Sequence, residues 1–71
     1  MNQLFAIYVN NVGFVTSESF YSFTPNFNHA ERYMTYDDAV IVRQRLIELG
    51  FEMKLTILSA DKLIIVAIPQ K

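Results

Sequence analysis

Thr35-Tyr36-Asp37-Asp38-Ala39-Val40-Ile41-Val42-Arg43-Gln44-Arg45-Leu46-Ile47-Glu48-Leu49-Gly50 is the stretch that decides the fold. The Thr35 hydroxyl can accept a hydrogen bond from one of the first free amides of a helix, and Asp38 stands where a capping box places its acidic partner. Asp37 and Asp38 also sit well against the positive end of a helix dipole. The spacing predicts a helix over Tyr36–Leu49, with Gly50 as a left-handed stop. Ala39, Val42, Leu46 and Leu49 fall on one face and should pack on a sheet. Tyr36, Val40 and Ile47 make a second apolar line beside it, while Ile41 stands alone among polar residues. This apolar arc covers about half the helix, more than one sheet face needs.

Upstream, Leu4–Val9 is apolar on both alternating faces, which suits a strand covered on both sides. Asn10-Asn11-Val12-Gly13 contains residues that tolerate positive φ, so the chain should reverse there and return as a strand over Phe14–Ser17. Phe20-Tyr21-Ser22-Phe23 is expected to continue that strand beyond a bulge. Thr24–Met34, with Pro25, two asparagines and His29, is expected to be an ordered loop holding one helical turn near Ala30.

Downstream, Phe51, Met53, Leu55 and Ile57 alternate with polar residues and predict a half-buried strand. Ser59-Ala60-Asp61-Lys62 would turn the chain into a last strand, Leu63–Ile68, ended by Pro69. Leu63, Ile65 and Ala67 would meet the helix, and Ile64, Val66 and Ile68 would face away. The expected fold is a single α+β domain over residues 1–71, a ββαββ two-layer sandwich with one helix on a mainly antiparallel four-stranded sheet. One helix covers one sheet face. The far faces of the first and last strands must then be covered by the aromatic loop, by a second copy or by a partner. Ile64, Val66, Ile68, Val40, Ile41 and Ile47 are the expected interface residues.

Composition narrows the function. The chain has 71 residues, no cysteine, one histidine and a formal net charge of -1. Disulfides and the usual Cys/His zinc sites are excluded, and no cofactor is indicated. Domains below roughly 70–80 residues have cores worth only about 3–5 kcal/mol, which makes self-association the expected remedy, most simply as a homodimer. The longest apolar run, Leu63–Ile68, is too short to span a bilayer. The amino terminus lacks the basic start and long apolar stretch of a secretory signal, so a cytoplasmic location is expected.

Catalytic signals are weak. His29 lies in a polar loop away from any nucleophile motif, and Asp37 and Asp38 point about 100° apart on a helix, where capping already explains them. Gly13 and Gly50 stand in no phosphate-binding loop, and Ser17, Ser19 and Ser22 in no nucleophile elbow. A non-enzymatic role follows. Phe14, Phe20, Tyr21, Phe23, Phe27, Tyr33 and Tyr36 crowd one third of the chain. They read either as a small aromatic core or as a stacking platform for single-stranded nucleic acid, with Arg32, Arg43, Arg45 and Lys54 tracking phosphates. The near-neutral charge favours the core.

Gly13-Phe14-Val15-Thr16-Ser17, then Thr24-Pro25, Ala30-Glu31-Arg32-Tyr33 and Tyr36-Asp37-Asp38-Ala39 carry a likeness. Over residues 8–49 the chain resembles small accessory proteins of phages and prophages of Gram-positive bacteria. The resemblance implies a phage- or host-directed role in the bacterial cytoplasm, exercised by binding another protein. Inhibition of a bacterial defence enzyme is a further expectation under the same resemblance, although the acidic surface of a DNA mimic is missing.

Overall fold

A computed structural model describes residues 3–17 and 22–69. Strands β1 (Gln3–Val9), β2 (Gly13–Ser17) and β3 (Ser22–Thr24) precede helix α1 (Tyr36–Met53), and β4 (Leu63–Pro69) follows it. One helix packs on a four-stranded antiparallel sheet of order β3-β2-β1-β4. The two-layer α+β architecture is the expected one. Its strands are distributed differently, three before the helix and one after.

Two local readings are corrected. Ser22–Thr24 does not prolong β2 but reverses and pairs with it, placing Phe23 opposite Val15, with the irregularity falling between Val15 and Ser17. Val15 is fully buried and Phe23 packs against the same core, so pairing buries an apolar couple. Phe20 and Tyr21 lie outside the described residues. The second correction concerns Phe51–Ile57, which is no strand. α1 runs through Gly50 to Met53, Lys54 takes the left-handed cap at φ 58°, and Thr56–Leu58 form a 3₁₀ turn. The Lys54 amide donates to the Gly50 and Phe51 carbonyls and the Leu55 amide to Gly50 at 2.8 Å. What folds the chain back is Leu58, which is buried in the core directly against Gly50.

The helix start is as the sequence dictates, with the Thr35 hydroxyl accepting from the Asp38 amide at 3.0 Å. Ala39 and Leu46 are buried and Val42 and Leu49 half-buried toward the sheet. The main core joins Ile7, Val9 and Val15 of the sheet with Leu46, Leu58 and Leu63. The β1–β2 turn is closed by the Val12 amide on the Val9 carbonyl at 2.9 Å, with Asn11 at φ 67°.

The far face has its own smaller core of Ala6, Ala30 and Ile68, with Leu4, Phe14 and Val66 packed around it. The Thr24–Met34 loop does hold a helical turn, a 3₁₀ segment over Phe27–His29 capped by the Asn26 side chain. It then enters the sheet. The named β1–β2 partners are Tyr8 with Phe14 and Val9 with Gly13. Beyond them the Glu31 amide donates to the Val15 carbonyl at 2.8 Å, and Phe5 and Tyr33 exchange backbone bonds at 2.8 and 2.9 Å. Glu31–Tyr33 is thus a wedge in the fork between β1 and β2.

Candidate functional site

β4 ends the sheet, and its register fixes which backbone groups face outward. The Asn10 amide donates to the Lys62 carbonyl at 2.8 Å, so these opposed residues are hydrogen-bonded across the ladder. Antiparallel pairs alternate, which turns Leu63, Ile65, Ala67 and Pro69 away from β1. The same alternation directs the Phe5 groups toward Tyr33, where they are found. Arg43 of α1 crosses to this edge and donates through Nε to the Leu63 carbonyl and through Nη2 to the Ala60 carbonyl, both at 2.7 Å. No described strand lies beyond Ile65 and Ala67.

Leu63–Pro69 carries no charged residue, and its side chains leave apolar surface on both sides. Ile64 is 46% exposed although it stands in a strand. A cleft of about 600 Å³ runs between the strand and α1, lined by Tyr36, Val40, Arg43, Leu63 and Ile65 among others. Tyr36 and Val40 are exposed there, and the Tyr36 ring meets Phe5 edge-on at 5.8 Å. Asp61 also lines this cleft. The Ser59 hydroxyl, its partner at 2.7 Å, holds the Asp61 carboxyl below its ordinary value, helped by its own backbone amide and by Lys62.

A second apolar region surrounds the end of α1. Ile47, Gly50, Phe51, Leu55 and Leu58 line an open groove of about 660 Å³. Phe51 is 85% exposed, and Met53, Leu55 and Ile57 are exposed beside it. These are the residues whose alternation predicted the buried face of a half-buried strand, and none of them is among the expected interface residues. Their signal was legible as four apolar residues with no assigned partner had the helix been carried past Gly50.

Of the expected interface residues, Ile64, Val40 and Ile41 are exposed and Val66 is half-buried. Ile47 is half-buried against the main core and lines the groove at the end of α1. Ile68 is corrected: it is 6% exposed, sealed against Ala6 and Ala30, and belongs to the core. Ala67 was expected under the helix but is exposed at the edge.

The described aromatic residues do not share one platform. Phe23 and Tyr33 pack on the helix-side core, while Phe14 stacks edge-on with Tyr8 at 5.1 Å on the far face. Phe27 is exposed over a cleft of about 400 Å³ there, with Tyr8, Phe14 and Val66. Arg32 and Arg43 spend hydrogen bonds on backbone carbonyls, and Nε and Nη2 of Arg32 are buried without acceptors. His29 is exposed in the 3₁₀ turn. Among the described residues no group of three potential ligands converges for a metal, and no helix is long and apolar enough to cross a membrane. Comparison with protein-family models, with curated proteins and with solved structures finds no match for this chain.

Proposed function

We propose that this chain is a non-enzymatic protein-interaction module, self-associating as a homodimer and docking on a second protein. The observation that carries the reading is the apolar surface left in solvent at the end of α1, where exposed Phe51 and Leu55 line a groove and Met53 and Ile57 of the same segment are exposed as well. Contiguous apolar surface of this kind marks a place for a partner side chain or helix. If the resemblance of residues 8–49 to phage and prophage accessory proteins holds, the target is a host protein or another phage protein in the bacterial cytoplasm.

The test is retention of a specific protein from a Gram-positive bacterial lysate by the immobilised chain and by Phe51→Glu. The ring is almost wholly in water, so the variant should fold as the parent does. Retention by the parent and its loss in the folded variant support the reading. Equal retention by both, or none by either, overturns the docking role of this groove.

A further inference from the structure

We propose that the dimer forms through β4, two copies pairing antiparallel about a two-fold axis at Val66 and joining their sheets into one. The inference rests on the self-association proposed above and names its surface and register.

A free strand edge is a template for another strand, and natural proteins blunt such edges with lysine, proline, bulges or inward charges. β4 has none of these from Leu63 to Ile68; Pro69 stands only at its end. The register follows from which groups are already used. With Val66 opposite Val66 of the second copy, Ile65 and Ala67 of each copy exchange both backbone bonds with Ala67 and Ile65 of the other. Leu63 then faces Pro69 of the second copy. The Leu63 amide meets the proline carbonyl, proline has no N–H to place, and the Leu63 carbonyl needs no donor because Arg43 holds it at 2.7 Å.

The neighbouring registers fail this accounting. Centring the pair on Ile65 makes the Ala67 amide compete with the Arg43 guanidinium for the Leu63 carbonyl. Centring it on Ala67 sets the Ile65 carbonyl against a proline that cannot donate. The donor and acceptor inventory of this edge is complementary to itself at Val66, which argues for a second copy over an unrelated strand.

A stable dimer takes about 800 Å² from each partner, roughly a sixth of the 4826 Å² this chain exposes. The edge supplies part, and surface beside it supplies more. The two-fold axis stands perpendicular to the joined sheet, so both helices lie on the same side of it. Tyr36 and Val40 then flank the junction on that side, and on the other the exposed Ile64 stands across from the core residue Ile68 of the second copy. A net charge of -1 per copy opposes this approach little.

The experiment combines light scattering at micromolar concentration with amide hydrogen exchange on the full chain. The expected mass is twice 8.2 kDa, with the Ile65 and Ala67 amides protected although no described strand of their own copy reaches them. Ala67→Pro removes one outward donor and Ile64→Lys places a charge on the edge; each should return the mass to 8.2 kDa with the circular dichroism of the fold retained. Ile64→Lys alters a half-exposed side chain and decides the matter if the proline variant unfolds. A dimer that survives in a folded Ile64→Lys variant, or whose Ile65 and Ala67 amides exchange like those of exposed turns, overturns the β4 register while leaving self-association standing. A parent chain of 8.2 kDa overturns both.

Discussion

Gly50 is helical, and what it provides is proximity. A Cβ built on it would lie 2.5 Å from the Leu58 Cβ and 3.1 Å from the Leu58 carbonyl oxygen. In an ordinary helix interior alanine would be favoured over glycine by about 1 kcal/mol, but overpacking a filled site costs about 1–3 kcal/mol. With a Cβ–Cβ approach this short the second effect should win at Gly50→Ala, with a net loss of up to about 2 kcal/mol seen as a lower urea midpoint at unchanged slope. An unchanged or higher midpoint would show that Leu58 moves aside freely. Gly13 is a different case: at φ 141° it holds a conformation that side chains resist, with the Thr24 carbonyl oxygen 2.6 Å from where a Cβ would stand.

At the scale of elements, the helix start was legible and its end was not. Thr35 and Asp38 state their role in the sequence because capping depends on a short local pattern. Thr35→Ala should therefore cost about 1 kcal/mol, measured by thermal or urea unfolding, without changing which residues are helical. The helix end depends on Leu58, eight positions beyond the expected stop, and a window around Gly50 contains no sign of it. The alternation of Phe51, Met53, Leu55 and Ile57 fits a strand, yet periodicity reports only which side chains share a face, not whether a face is buried. β3 escaped for a similar reason, since its three residues are defined by pairing with β2 rather than by their own pattern.

For the whole molecule, alternation placed Leu63 and Ile65 toward α1 and Val66 and Ile68 away from it, as found, while Ala67, expected under the helix, is exposed at the edge. The surplus of apolar surface was also legible, but its allocation was not. Ala30, unremarkable in the sequence, takes Ile68 out of the surplus, while Phe51 enters it. The wedge at Glu31–Tyr33 changes what the preceding loop is for. Surface loops usually accept shortening at small entropic expense. Excising residues 31–33 would instead deprive Phe5 of both its backbone partners and Val15 of one, in the middle of the sheet. Such a deletion should abolish cooperative unfolding, whereas an equal cut in a solvent-facing turn would only lower the midpoint. The connection between β3 and α1 behaves as a keystone: length variation that most domains absorb in their connections has to be accommodated elsewhere in this chain.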